Sequence, residues 1–290
     1  MMSKNSKKYF LPILVSFLLV FNIFLFEADW QNCHRGFTFA MLNVGQGDGL
    51  FIESPTGTHV LVDGGPPKSI LGPLSQVMPP FAKNIDAMMI TNPDSDHIGG
   101  FADVLKNYKV GALFEPGTVS PSKTYENLEA EIKKEKIPDI LAKRGMRLDL
   151  GGGVILNILF PDRDVSTWAT NDGSMMARLT YGNIAIMLTG DAPMKTERIL
   201  LAENSPAQLK SNVLKVGHHG SRTSTSPSFV QAVLPTYALI SDGKDNKYGH
   251  PHQETLDTLA QFGVKVFRTD QLGTIILKSD GDMLKWSYAR

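Results

Sequence analysis

The stretch Thr91-Asn92-Pro93-Asp94-Ser95-Asp96-His97-Ile98-Gly99-Gly100 places two carboxylates and an imidazole within four residues. It follows Ile85 to Thr91, an apolar run that reads as a buried strand, and precedes a helix expected from about Gly100 to Tyr108. If the backbone stays extended, Asp94 and Asp96 point the same way, and His97 turns back toward them. Taken alone, the stretch also fits a polar loop ending in an aspartate helix cap.

Three more segments of this kind stand at expected strand ends: Leu188-Thr189-Gly190-Asp191, Val216-Gly217-His218-His219-Gly220-Ser221, and Tyr248-Gly249-His250-Pro251-His252. Each has an ordinary reading by itself, as a turn, a surface histidine pair, or a solvated loop in which His252 caps a helix. Four separate strand-end clusters of Asp and His together are what a dinuclear metal site requires. Imidazole suits zinc, while carboxylate and water suit manganese or magnesium.

Outward from these segments, the chain after Arg35 is a series of short apolar runs separated by glycine and polar turns. Phe37 to Val44, Leu50 to Glu53 and His59 to Val62 read as strands, with Pro55-Thr56-Gly57 as a turn. Val110 to Phe114, Val154 to Phe160, Ala177 to Tyr181, Ile184 to Thr189, Val213 to Val216, Tyr237 to Ser241, Val264 to Arg268 and Thr274 to Lys278 continue the pattern. Helices are expected at Tyr125 to Lys136 (charged, amphipathic and solvent-facing), Met194 to Ala202, Pro227 to Val233 and Gln253 to Phe262. Hairpins first, then strand–helix alternation, predict an α+β sandwich of two mixed sheets with helices on the outer faces. Residues 36–290 read as one domain, with no low-complexity linker and no repeat at solenoid spacing.

The N-terminus has a different character. Lys4, Lys7 and Lys8 precede a run from Tyr9 to Phe26 without a charged residue. About 18 residues at 1.5 Å rise give roughly 27 Å, the thickness of a thin hydrocarbon core. Residues 1–30 therefore read as a membrane anchor with the domain outside, Trp30 serving as an interfacial residue; a cleaved signal segment is the alternative. Cys33 is the one cysteine, which excludes a disulfide framework and a cysteine-rich zinc site. Lys+Arg and Asp+Glu number 29 each, so any contact with nucleic acid is local rather than a matter of bulk charge.

Asn43-Val44-Gly45-Gln46-Gly47-Asp48, Val62-Asp63-Gly64-Gly65, Asn92 to Gly100, Asn171-Asp172-Gly173-Ser174, Leu188 to Asp191, Leu214 to Ser221 and Tyr248 to His250 occur in that order. This set resembles the metallo-β-lactamase domain of ComEC-type competence (DNA-uptake) proteins, over nearly all of Phe37 to Lys278. The resemblance implies an αββα sandwich with a hydrolytic metal site at one edge. It puts Asp94, Asp96 and His97 on the first metal motif and Asp191 on the carboxylate that bridges two metals. His218 or His219, and also His250, fall on the late histidine positions. Asp63 falls on an aspartate that supports the ligands from behind. Ser221 and Arg222 follow the histidine pair, where they either meet a phosphate or form a solvated turn.

Two positions depart from the family pattern. Asn92 stands for its leading histidine and Asn43 for an early aspartate, and the channel-forming region of the full proteins is absent from this sequence. The position served by Asp96, His97, Asp191 and a late histidine remains complete. The expectation is one tight divalent metal (Zn²⁺ or Mn²⁺) and a second, weak one, with Asn92→His raising occupancy; Glu115 or His250 would fill the gap if two tight metals are present. The leading reading is a metal-dependent phosphodiesterase or nuclease acting on single-stranded or damaged DNA outside the cytoplasmic membrane with the uptake machinery, with Asp94, Asp96 and Asp191 as catalytic carboxylates. The alternatives are a non-catalytic or single-metal accessory protein that binds DNA, and a hydrolase of another small-molecule substrate.

Overall fold

The computed structural model describes residues 9–10, 12–22 and 36–290. The first two segments are helical and exposed. Among the described residues no helix is long and apolar enough to cross a membrane, so the expected spanning helix is not found there. Residue 11 and residues 23–35, in which that run would be completed and Cys33 falls, lie outside the described residues, as do Lys4, Lys7 and Lys8.

The domain begins with β1 (Phe37–Met41), β2 (Gly49–Glu53), β3 (His59–Gly64), β4 (Asn84–Met89), β5 (Lys109–Glu115) and β6 (Asp139–Leu141). A second series follows: β7 (Arg147–Gly151), β8 (Val154–Phe160), β9 (Met176–Tyr181), β10 (Ile184–Leu188), β11 (Val213–Lys215), β12 (Tyr237–Ile240) and β13 (Lys265–Arg268). β14 (Thr274–Ser279) and β15 (Leu284–Ala289) return to the first sheet, whose order is β15-β14-β1-β2-β3-β4-β5-β6. The second sheet runs β13-β12-β11-β10-β9-β8-β7. Both sheets are mixed: β3 to β6 are parallel in one, and β10 to β13 are parallel in the other.

The residue pattern of each strand follows from what covers it. β1 and β10, Phe-Thr-Phe-Ala-Met and Ile-Ala-Ile-Met-Leu, are buried at every position because each lies between the facing sheet and an outer layer. β8 alternates buried and half-buried residues, as a strand covered mainly on one face does. The inner faces of both sheets form one apolar core containing Phe39, Ile52, Val62, Leu156, Ile186 and Leu239. Two outer clusters join the sheets to their helices, so the layers are helix, sheet, sheet, helix.

The charged helix at Lys123–Glu135 is amphipathic, as its sequence pattern predicts: Tyr125, Leu128 and Ile132, spaced on one helical face, are buried in the cluster over the first sheet, and the charged face is left to solvent. Its start is fixed by Ser122, whose hydroxyl accepts a hydrogen bond from the Tyr125 amide.

This topology positions the site. β3, β4, β10, β11 and β12 all end at the same edge of the sandwich, and the Asp and His segments follow their carboxyl ends. Chain leaving a parallel strand has no hairpin partner to engage its polar groups, so those groups are available to a ligand.

Candidate metal centre

Asp63, the penultimate residue of β3, receives three hydrogen bonds. The Thr91 amide donates to Oδ1 (2.8 Å), and the Thr91 hydroxyl (2.5 Å) and His97 Nδ1 (2.9 Å) donate to Oδ2. With its Nδ1 proton committed, His97 turns Nε2 toward Asp191 Oδ2, 3.2 Å away. His219 is arranged in the same way: Nδ1 donates to the Ser241 carbonyl (3.0 Å), and Nε2 lies 3.6 Å from both Asp191 Oδ2 and Asp96 Oδ2. His218 pairs Nδ1 with the Thr223 hydroxyl (3.3 Å) and brings Nε2 to 3.6 Å from Asp191 Oδ2. Three imidazole nitrogens thus converge on one carboxylate oxygen, each ring oriented by a partner on its other nitrogen.

The backbone is bent to achieve this. Asp63, His218 and His219 have φ of 58°, 51° and 55°, in the left-handed region that costs a non-glycine residue about 1–3 kcal/mol. Gly217 and Gly220 flank the histidine pair; a Cβ at Gly220, itself at φ 84°, would lie 2.5 Å from Pro251 Cβ.

The donor set fits a divalent cation. His97 Nε2, His219 Nε2 and Asp191 Oδ1 are buried with no hydrogen-bond partner among the described residues, an arrangement costly unless a cation completes it. The ligand atoms of Asp96, His97 and His219 lie within 4.8 Å of one another. Electrostatics agree. Burial alone would raise the Asp191 carboxyl, but His219 and His97 outweigh it and hold Asp191 well below the usual carboxylate range. Burial alone would lower His219, yet Asp191 and Asp48 push it up to about 10, and Asp191 and Asp63 likewise raise His97. Protons are held where a cation belongs, and a metal would displace them.

The remaining expected residues separate into two groups. His250 joins the cleft: its ring lies 5.6 Å from that of His218, and its value is lowered to about 4 by burial and by the surrounding histidines. Gln46 accepts from the Gly243 amide and donates its Nε2 to His250 Nδ1 (3.3 Å each), which leaves the His250 ring proton on Nε2. A cleft of about 280 Å³ is bounded by Gln46, Asp94, Asp96, Asp191, His218 and His250, among others.

Asn92 and Asp94 do not join the convergence on Asp191, although Asp94 borders the cleft. Asn92 is fully buried, donates Nδ2 to Asn171 Oδ1 (2.5 Å), and accepts the Asp94 amide on Oδ1 (2.9 Å). Asp94 Oδ2 accepts from the Thr170 hydroxyl (2.9 Å), and burial raises its carboxyl. Ser221 is buried and bonded to Thr223, so it does not present its hydroxyl to a phosphate, and exposed Arg222 faces Glu254. Glu115 sits with Tyr125 and does not line the cleft.

Residue-by-residue reading assigned no role to Asp48 and Lys215, although both stand inside recognised segments. Each is buried within the centre, where the Lys215 ammonium forms an ion pair with Asp48. The available signal was a lysine in the apolar run Val213-Leu214-Lys215-Val216, where a charge is rare unless paired.

A four-layer αββα sandwich with buried histidines and aspartates gathered at the carboxyl edge of its sheets defines the metallo-β-lactamase fold. The chain belongs to the metallo-beta-lactamase superfamily, whose model matches residues 42–241. It is 36% identical over 253 residues to ComE operon protein 3 of Bacillus subtilis (strain 168), covering 81% of this chain and 32% of that protein. It is 29% identical over 283 residues to Recombination protein 2 of Haemophilus influenzae, covering 94% of this chain and 32% of that protein. The chain thus spans about a third of the length of the curated relatives it matches. Among solved structures, the metallo-beta-lactamase fold protein YhfI from Bacillus subtilis superposes with a TM-score of 0.57 at 13% identity, covering 84% of this chain and 100% of that one.

Proposed function

We propose that this protein is a metal-dependent hydrolase of phosphodiesters that acts on single-stranded DNA outside the cytoplasmic membrane, alongside DNA-uptake machinery. The observation that carries the reading is the convergence of His97, His218 and His219 Nε2 on Asp191 Oδ2, with Asp96 beside them. Asp96, His97, Asp191 and His219 would hold the metal, with His218 at the open side. When bound, a divalent metal supplies a Lewis acid that activates water near neutral pH and polarises a phosphoryl oxygen. The similarity to Competence protein ComA of Neisseria gonorrhoeae supports DNA uptake as the setting and DNA as substrate, and the Lys-flanked apolar run supports an outward-facing domain.

The chain's own groups do the rest. Asp94, half-buried with a raised carboxyl and steadied by Thr170, is placed to pass a proton to or from a reacting oxygen at the cleft. His250, neutral at physiological pH with its proton on Nε2, can donate a hydrogen bond to a substrate oxygen.

A second reading is favoured by the Asn92–Asn171 pair: a single-metal or non-catalytic accessory protein that binds DNA. To decide, the full-length chain loaded with Zn²⁺ or Mn²⁺ is given labelled single-stranded DNA and bis(p-nitrophenyl) phosphate, with Asp191→Asn as control. DNA cleavage that disappears in Asp191→Asn supports the nuclease. Cleavage of the small ester alone indicates a hydrolase of another substrate, and DNA binding without cleavage indicates the accessory role. Reporter enzymes fused after residue 40 test the topology; activity of a cytoplasm-only reporter would overturn it.

A further inference from the structure

Lys215 is a buried charge that the hydrolytic reading leaves unused. It ends β11, and its side chain is 1% exposed. The ammonium pairs with Asp48 Oδ2, donates to the Gly190 carbonyl (2.9 Å), and lies 3.9 Å from Asp191 Oδ1. The partners are equally enclosed: Asp48 is 1% exposed and Asp191 3%. Asp191 is therefore faced from two sides, its Oδ1 toward the ammonium and its Oδ2 toward the three imidazoles. Asp48 is likewise bounded by cation-forming groups, with His219 Nδ1 3.4 Å from Oδ1 and His97 Nδ1 3.9 Å from Oδ2.

Burying a lysine costs several kcal/mol unless its partners return that energy. Pure packing would be served as well by methionine or leucine in an apolar strand. The same ammonium also holds the Gly190 carbonyl, one residue before Asp191, so it steadies the backbone that presents the carboxylate.

We infer that Lys215 is a positioning residue: a resident counter-cation that pairs with Asp48 and holds Asp48 and the Asp191 turn in place in the centre before any metal arrives. The consequence is twofold. The centre is preassembled without metal, because the two carboxylates do not repel each other across an apolar interior. An arriving metal also meets a like charge near Asp191, so Lys215 limits how tightly it binds. The second consequence rests on the metal-centre reading; the first does not.

The test compares full-length wild type, Lys215→Met, Asp48→Asn and Asp48→Asn/Lys215→Met by thermal melting, after chelation and then with Zn²⁺ added. In the chelated proteins Lys215→Met should melt well below wild type, and adding Asp48→Asn should restore at least half of that loss, because it removes the carboxylate left unpaired. With Zn²⁺, Lys215→Met should gain more in Tm than wild type and bind the ion about tenfold more tightly or better. A packing role would lower Tm equally with and without zinc, with no restoration by Asp48→Asn, and that result would overturn the inference. If Lys215→Met does not fold, folding of the double variant supports the inference and failure of the double variant overturns it. A wild type indifferent to Zn²⁺ refutes the metal centre, and the chelated proteins still decide the role of Lys215.

Discussion

At the scale of single residues, the centre depends on which carboxylates face its middle. Asp191 Oδ2 lies 3.2–3.6 Å from three imidazole nitrogens, whereas Asp94 Oδ2 is held by Thr170. Asp191→Asn should therefore abolish metal binding while Asp94→Asn retains it; elemental analysis of the two variants checks this, and equal loss would contradict the geometry. Asn92→His was attractive from sequence because the family pattern has histidine there. The structure shows Asn92 buried in an amide pair with Asn171 and receiving the Asp94 amide. The substitution leaves those groups unsatisfied, a cost of about 1–3 kcal/mol. We expect a lower Tm and a metal content that stays near one per chain, by the count of ligands left in place; a content near two would show that the loop carrying Asn171 yields.

At the scale of elements, the site is a meeting of loops, and close backbone approach is what lets them meet. Gly47 has φ 145°, and a Cβ there would lie 2.2 Å from the Asp96 carbonyl. Gly47→Ala should push the Asp96 loop away, costing on the order of 2–4 kcal/mol, and lower both Tm and metal affinity. Another prediction concerns the end of β5. Burial, Asp139 and Glu129 push the Glu115 carboxyl up from 4.5 to about 7. Between those values the folded chain keeps a proton that the unfolded chain has released, so stability falls as pH rises through the window and levels off above it. Glu115→Gln should flatten that fall by about 1 kcal/mol after solvent screening, measurable in urea melts from pH 4.5 to 8. Elements with clean periodicity, such as β8 and the helix at Pro227–Val233, were legible in the sequence. β7, β15 and the helix at Leu71–Val77 were not. In β15, Leu-Lys-Trp-Ser-Tyr-Ala, half the residues are polar or small, and the strand is fixed by pairing with β14 and by Trp286 packing 4.9 Å from Phe267 across the sheets. Such pairing is decided by tertiary context.

At the scale of the whole molecule, both sheets and the candidate metal centre are built, among the described residues, from those after 35. Residues 36–290 produced alone should fold with the Tm of the full-length chain to within a few degrees, and should keep its response to Zn²⁺. Calorimetry of the two forms checks this; a large loss would mean that the N-terminal segment braces the domain. The neutral overall charge implies that DNA binding, if found, has a shallow dependence on salt.

By itself the sequence determined the layered sandwich and the residues able to bind metal, because apolar periodicity and strand-end Asp and His segments are local properties of the chain. It also showed that Asn92 departs from the family pattern. Only the tertiary structure decided how those residues divide. His97, His218, His219 and Asp191 converge, Asn92 and Asp94 turn to Asn171 and Thr170, and Asp48 meets Lys215. Asp48 and Lys215 are 167 positions apart in sequence numbering (215 minus 48). Pairing at that separation is set by the register of two facing sheets and by the cost of burying an unpaired charge, neither of which is written in any single segment.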